Sequence, residues 1–160
     1  MKKKLSTHSP FKKIIIFENG DFIIINKPQH ISTLEDRSSP MNILKWARSY
    51  FNDAKVCHRL DKTTSGILVI AKNDATYKYF SMLLEQRSVT KIYHALVEGD
   101  QDINELELNK PIYSSANRSK VDFQKGKPSM TLVSTIERYK KHSLLACMPF
   151  TGRMHQIRVH

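Results

Sequence analysis

The segment at residues 58–66 constrains this chain more than any other, because it is a charged loop that leads directly into a buried strand. The run that follows, Gly-Ile-Leu-Val-Ile-Ala at 66–71, is short and aliphatic, and a polar Lys-Asn-Asp closes it. Such a run is typical of a buried strand. Asp61 therefore lies on a loop that enters a sheet, with Arg59 and Lys62 beside it. Opposite charges and hydroxyl donors favour the ionised carboxylate, as a nucleophile or base requires.

An ordinary structural role is the alternative for Asp61, since Asp is a common turn former and surface ion pairs are common and weak. The neighbouring residues favour the chemical role. Residues 58–66 read His-Arg-Leu-Asp-Lys-Thr-Thr-Ser-Gly. This stretch resembles the catalytic motif of the RluA-type RNA pseudouridine synthases, which is His-Arg-Leu-Asp, two variable positions and Thr-Ser-Gly.

Three further segments follow the order that this family requires. Residues 21–28 resemble its opening strand and Lys-Pro loop, residues 91–99 its tyrosine-bearing strand, and residues 151–158 its arginine motif. There is one departure, because His30 stands where the family usually has Gly two residues after the Pro. If this position requires a positive φ, His is one of the better tolerated substitutes.

The resemblance implies a role for each candidate catalytic residue. Asp61 is the nucleophile at ribose C1′, or else the base that takes a ribose proton, and the sequence leaves both roles open. Tyr93 stacks on the target uracil and can deprotonate its C5 atom. As a lone aromatic on a strand, Tyr93 would more often be a core residue. Arg158 is preferred over Arg153 as the charge partner of Asp61.

The same resemblance predicts a set of RNA contacts, which are His58, Arg59, Lys62, Lys27, Lys91 and Arg153. Arg59 is the candidate for filling the space that a flipped uridine vacates, with a simple salt bridge as the alternative. Lys27 either contacts a phosphate or braces Tyr93. For Arg153 an ordinary phosphate contact is the favoured role.

Composition agrees with a nucleic-acid partner. The 160 residues carry 26 Lys and Arg against 15 Asp and Glu, a formal net charge of +11. Such an excess favours a polyanion, with nucleic acid as the first candidate and an anionic membrane as the second. The resemblance selects RNA, ribosomal or transfer, with no membrane and the protein as a monomer. The implied isomerisation has no redox or phosphoryl step, so we expect no cofactor and no metal.

Length predicts one domain over residues 1–160. The apolar run at 14–17 is too short for a signal core or a membrane span, so we expect a cytoplasmic protein.

Cys57 and Cys147 lie in apolar stretches and are expected to be reduced core thiols. A reactive Cys57 thiol beside His58 is the alternative.

The predicted fold class is α+β, a mixed, mainly antiparallel sheet with helices over one face, matching the catalytic fold that the resemblance implies. Asn19-Gly20 predicts a hairpin between residues 12–17 and 22–26. One helix is predicted to open at Pro40 with Ser39 as N-cap, and a second to follow Asp74 with Tyr77, Phe80, Leu83 and Leu84 inward. Strands are predicted at 91–97, 120–123, 130–138 and 143–149, and loops at 100–108 and 111–118.

The chain stops at His160, soon after Arg158 and within an element. The resemblance implies that the domain of the family continues beyond this point, so we expect these residues to lack its C-terminal part and to be weakly active alone.

Two other functions compete with a pseudouridine synthase. One is a non-catalytic RNA-binding fragment of the same fold. The other is an Asp61-dependent hydrolase, which the absence of a paired carboxylate disfavours.

Overall fold

The computed structural model describes residues 10–35, 40–116 and 118–160. The chain divides into two compact units, one ending at Gln86 and the other running from Arg87 to His160. The predicted α+β class is confirmed, because the strand pairs within the described sheets run antiparallel and short helices accompany them. The single domain over 1–160 stays a prediction.

The first unit is a four-stranded sheet with two helices. In chain order its elements are a 3-10 turn at Lys12–Ile14, β1 (Ile15–Glu18), β2 (Phe22–Lys27), α1 (Ile43–Tyr50), β3 (Lys55–Val56), β4 (Gly66–Ala71) and α2 (Asp74–Glu85). The strands are ordered β1-β2-β4-β3, which makes β4 a central strand. Its core holds the buried apolar side chains of Phe11, Ile23, Ile25, Ile43, Ala47, Ala54, Cys57, Leu60, Leu68, Ile70 and Ala71.

The predicted hairpin is confirmed for β1 and β2. The side-chain oxygen of Asn19 accepts from the backbone N–H groups of Asp21 and Phe22, at 2.9 and 2.7 Å. These bonds close the turn next to the pairs Glu18–Ile23 and Phe17–Ile24, beyond which the register shifts before Ile15. The prediction is wrong for residues 12–14, which form the 3-10 turn.

Both predicted helices form, but their details differ from the prediction. Helix α1 begins at Ile43 and not at Pro40, because the Asn42 side chain accepts from Lys45 N–H at 2.9 Å and so provides the N-cap. Ser39, the predicted N-cap, lies outside the described residues.

Helix α2 turns a stripe of Thr76, Phe80, Leu83 and Leu84 inward. The inward position predicted for Tyr77 is wrong, since its side chain is 37% exposed. Tyr77 lies about 100° around the helix from Thr76, which places it at the edge of this stripe, where its side chain reaches solvent.

The second unit is also mainly antiparallel sheet. Its elements are β5 (Tyr93–Glu98), β6 (Leu106–Asn109), β7 (Ile112–Ser115), β8 (Arg118–Val121), β9 (Met130–Arg138), β10 (His142–Pro149) and α3 (Gln156–Val159). Strands β5-β10-β9-β6 form one sheet, and β7 and β8 form a separate hairpin. Val133, Leu145 and Cys147 are the centre of the core, and Tyr93, Ala95, Val97, Ile103, Leu108 and Ile157 pack around them.

Two predicted loops in this unit contain strands. Residues 106–109 pair with β9, and residues 112–115 pair with β8. Each stretch has only four residues, two of them polar, so its sequence alone carries a weak strand signal, and the hydrogen bonds of the partner strand make it extended. Strand β8 ends at Val121, two residues before the predicted end.

No helix among the described residues is long and apolar enough to cross a bilayer.

Candidate active site

Asp61 lies half-buried on the loop between β3 and β4, and a second loop fastens its sequence neighbours on both sides. On one side, the Thr33 hydroxyl donates to the carbonyl of Leu60 at 2.7 Å and accepts from the Leu60 N–H at 3.1 Å. On the other side, the His30 N–H donates to the carbonyl of Lys62 at 2.7 Å. We call residues 27–33 the clamp loop, because they hold the backbone on either side of the carboxylate.

Lys27 ends β2 and is fully buried, with 0% of its surface exposed. Its ammonium donates to the carbonyls of Pro28 and Ile31, both at 2.9 Å, and more weakly to that of Lys62 at 3.4 Å. Burial lowers the pKa of Lys27, while the nearby negative charge of Asp61 opposes that shift and raises it. The Asp61 carboxylate is therefore close enough to favour the charged form of this buried cation.

This geometry bears on one of the two roles predicted for Lys27, which were a phosphate contact and a brace for Tyr93. A phosphate contact would require the ammonium to leave three backbone carbonyls and the protein interior. In the position it occupies, the ammonium holds the clamp loop and the backbone at Lys62, and the brace to Tyr93 stays a prediction. Motif residues that carry charge are ordinarily expected at a surface, which is why the sequence left the alternatives level.

His30 has a φ of 65°, which is the left-handed conformation that Gly adopts without strain. The condition stated for this departure from the family pattern is thus met. With the backbone turned in this way, the His30 N–H points at Lys62. His30 thus has a backbone conformation that Gly would also adopt, and its imidazole is exposed.

Thr33 is a residue that sequence reasoning missed. It is buried, and its carbonyl accepts from the N–H of Leu44 in the first turn of α1 at 3.1 Å. One residue thus connects the start of a helix to the loop that carries Asp61. A lone Thr in a polar stretch gives no signal for this role, because its partner Leu60 is 27 residues away in sequence.

We expect Thr33→Val to destabilise the first unit by about 2 kcal/mol, because it leaves the buried N–H and C=O of Leu60 without their hydroxyl partner. Thr33→Ser keeps the hydroxyl and should lose much less. Urea denaturation of the two variants and the wild type measures the difference. Equal stability of the Val variant and the wild type would show that the clamp at Leu60 carries no free energy.

The other basic residues of the motif are placed differently from one another. The His58 ring stacks on Phe80 with 6.3 Å between centroids, and its Nε2 accepts from the Val69 N–H at 3.2 Å. An accepting Nε2 is unprotonated, so His58 ties the start of the loop to β4 as a neutral ring. Arg59 is exposed, and Lys62 is half-buried. The first unit thus brings Lys27, His58, Arg59 and Lys62 to one loop system around Asp61.

Tyr93 begins β5 in the second unit. It packs on the Val133–Leu145–Cys147 core together with Ala95 and Val97, as strand alternation predicts. Leu96, on the opposite face of the strand, is 65% exposed. Lys91 stands two residues earlier, and burial lowers its pKa.

The arginine motif is organised by Gln156, a second residue that sequence reasoning missed. Its buried amide nitrogen donates to the Met130 carbonyl and to the Thr131 hydroxyl, both at 2.9 Å. Its amide oxygen accepts from the Thr151 hydroxyl at 2.8 Å and from the Arg153 N–H at 3.0 Å. All of these bonds are internal, so Gln156 joins the Thr-Gly-Arg turn and α3 to strand β9.

The two arginines of this motif differ in their setting. The Nε of Arg153 donates to the carbonyl of Pro128 at 3.1 Å, which ties one side of its guanidinium to the backbone. Arg158 lies on α3 and is exposed. The preference for Arg158 as the charge partner of Asp61 stays a prediction.

Both cysteines are free and buried, which confirms the prediction of core thiols. Burial raises the pKa of the Cys57 thiol to about 11, so the thiol is protonated at neutral pH. Burial also raises the pKa of Cys147. A reactive thiolate at Cys57 is therefore disfavoured.

In the described ranges, no group of three or more His, Cys, Asp or Glu side chains is arranged to hold a metal ion.

A family model described as RNA pseudouridylate synthase matches residues 21–160. The dual-specificity RNA pseudouridine synthase RluA of Vibrio cholerae is 34% identical over 151 residues, covering 91% of this chain and 62% of that protein. The ribosomal large subunit pseudouridine synthase D of Buchnera aphidicola is 37% identical over 155 residues, covering 91% of this chain and 49% of that protein.

Among solved structures, human RNA pseudouridylate synthase domain containing 1 superposes with a TM-score of 0.77 at 28% identity, covering 91% of this chain and 62% of that one. The chain thus spans about half to three fifths of the length of these relatives. The match includes the segment around Asp61, the strand of Tyr93 and the arginine motif. The chain belongs to the RNA pseudouridylate synthase family.

Proposed function

We propose that this chain converts uridine to pseudouridine in structured RNA, ribosomal or transfer, with Asp61 as the reacting carboxylate. The observation that carries the proposal is the anchored loop around Asp61, whose backbone is hydrogen-bonded on both sides by the clamp loop. A carboxylate that must meet one ribose carbon gains most from such fixed placement, since misplacement by a fraction of an ångström costs rate. Family membership supplies the reaction class.

The reaction balances without a cofactor. The bond from ribose C1′ to N1 of the base breaks, the base turns, and a bond from C1′ to C5 forms. The proton on C5 leaves and a proton is gained at N1, so no electron is lost or gained. Asp61 either attacks C1′ to form a covalent ester or takes a ribose proton to form a glycal, and both routes begin with an ionised carboxylate.

Three further residues act with Asp61 in this proposal. Arg158 keeps the carboxylate ionised by its charge. Tyr93 offers a ring for the uracil and a hydroxyl for the C5 proton. Arg59, which is exposed at the motif, occupies the space that the uridine leaves when it is flipped out of the RNA. His58, Lys62, Lys91 and Arg153 are proposed RNA contacts, and Lys27 is assigned to bracing.

RNA affinity should fall steeply with salt. The net charge of +11 is available to neutralise phosphates, and each neutralised phosphate releases counterions. For several phosphate contacts we expect a loss of at least about tenfold between roughly 50 and 200 mM monovalent salt. Fluorescence anisotropy with a labelled RNA hairpin measures it. An affinity that stays nearly constant over this range would show that the excess charge is not used on phosphates.

The direct test is to incubate the chain with ribosomal and transfer RNA transcripts and to map pseudouridine by carbodiimide modification and primer extension. New pseudouridine at a defined uridine supports the proposal. Tight RNA binding without isomerisation would select the alternative, a non-catalytic RNA-binding fragment of this fold.

We also propose that the protein is a monomer and acts in the cytoplasm. Sedimentation tests the first point, and cell fractionation tests the second.

A further inference from the structure

The hairpin of the second unit carries a basic and aromatic surface that the motifs do not account for. We define the basic hairpin as residues 110–116 and 118–127, which contain strands β7 and β8. Tyr113 lies opposite Lys120, and Ser115 lies opposite Arg118. Along β7, Tyr113 and Ser115 point away from the face of the buried Ile112. Their partners on β8 point the same way, so all four residues share the outward face. All four are exposed to solvent.

The turn that follows β8 is tightly built. The Asp122 side chain accepts from the N–H of Gln124 at 3.1 Å and of Lys125 at 2.9 Å, and its carbonyl accepts from Gly126 at 2.8 Å. A Cβ at Gly126 would come within 2.2 Å of that carbonyl oxygen, so this position excludes any side chain. The Asp122 N–H is in turn bonded to the Pro111 carbonyl at 3.0 Å.

This fixed turn presents a phenylalanine to solvent. Phe123 is 74% exposed, the largest exposed fraction among the large hydrophobic side chains described. The ammonium of Lys110 lies 5.7 Å from the centroid of its ring. An apolar ring held outward by a hydrogen-bonded turn adds little to the core, and exposed rings in a defined setting mark binding surfaces.

The charge of the basic hairpin indicates what the ring would bind. It contains the five cations Lys110, Arg118, Lys120, Lys125 and Lys127 and one carboxylate, Asp122. That carboxylate is already used in the turn and in a 3.2 Å ion pair with Lys120. Cations beside exposed aromatic rings match an unpaired nucleic-acid strand, since the rings stack on bases and the cations neutralise the phosphates between them.

We propose that the basic hairpin docks an unpaired segment of the RNA substrate, with one base stacked on Phe123 and its phosphates held by the neighbouring lysines. This inference rests on the proposed function, because it takes RNA as the substrate. Paired RNA fits less well, since its base faces are covered by their neighbours. An acidic protein would satisfy the cations but would gain nothing particular from a flat ring.

The test compares two RNAs with the same stem, one with an unpaired flank and one with blunt ends. Phe123→Leu keeps an apolar side chain and removes the ring, so it should weaken binding of the flanked RNA by about fivefold or more and leave the blunt RNA unchanged. Phe123→Tyr retains an aromatic ring, so it should bind the flanked RNA with wild-type affinity. The control is Tyr79→Leu, which removes an exposed ring from α2 and should leave both affinities unchanged. Melting curves confirm that the variants are folded.

Three results would overturn the proposal. The first is a wild-type chain that binds both RNAs equally. The second is a Phe123→Leu variant that binds the flanked RNA as tightly as the wild type does. The third is a Phe123→Leu variant that keeps its RNA affinity but binds polyglutamate, a mimic of an acidic protein, less tightly than the wild type does. That result would identify a protein-docking surface. Each is a binding result, so pseudouridine formation by the same wild-type chain shows separately whether the proposed function holds.

Discussion

Replacing Asp61 by Asn should abolish pseudouridine formation and leave RNA affinity within a few fold of the wild type. Asn has nearly the same shape, so the loop keeps its backbone bonds to Thr33 and His30. It carries no negative charge, so it serves neither as a nucleophile at C1′ nor as a base. Loss of such a group costs at least about a thousandfold in rate. Single-turnover assays with excess protein measure the rate, and anisotropy measures binding.

The matched control for this variant is Asp53→Asn, which removes an exposed carboxylate from the turn after α1 in the same unit. It should keep the wild-type rate and affinity. Asp61→Glu adds a useful second comparison, because it retains the charge and moves it by one methylene, so its residual rate reports how strictly the clamp loop fixes the carboxylate. Substantial turnover by Asp61→Asn would remove Asp61 from the reaction altogether.

Lys27→Met should destabilise the first unit by roughly 3 kcal/mol, even though Met is apolar and similar in length. The carbonyls of Pro28 and Ile31 lose the donor that each has at 2.9 Å, and the nearby Asp61 loses a buried opposite charge. Met does not carry the desolvation cost of a buried ammonium. This saving offsets part of the loss, which is why the expected destabilisation is not larger. Urea denaturation measures it, with Lys78→Met on the exposed side of α2 as the control.

The pH dependence gives this prediction a second readout. Because burial lowers the pKa of Lys27, the unfolded chain holds this proton more tightly than the folded one. The contribution of Lys27 to stability should therefore rise with pH between its lowered pKa and the ordinary value of 10.5. The gap between the wild type and Lys27→Met should widen over that alkaline range. A gap that is absent at neutral pH and does not open at alkaline pH would mean that the buried ammonium is energetically replaceable.

Local sequence was sufficient for features whose cause is local. The Asn19 turn, the buried strand after the Asp61 loop and the strand that carries Tyr93 were all predicted correctly. Each depends on one residue's backbone preference or on the period of two along a strand. For His30 the positive φ was only a condition, raised by the Gly of the family pattern, and the structure has a φ of 65° there. Such features need no knowledge of distant partners.

Tertiary structure decided the features that depend on residues far apart in the chain. Thr33 and Leu60 are 27 residues apart, and Lys27 and Lys62 are 35 apart, yet their hydrogen bonds anchor the loop that carries Asp61. Strand β6 pairs with β9, and its own four residues, Leu-Glu-Leu-Asn, are too short a run to predict it. The sequence motif thus singled out Asp61 as the candidate carboxylate, and long-range hydrogen bonds determined how the loop around it is held, because a buried polar group must find its partner wherever the fold places one.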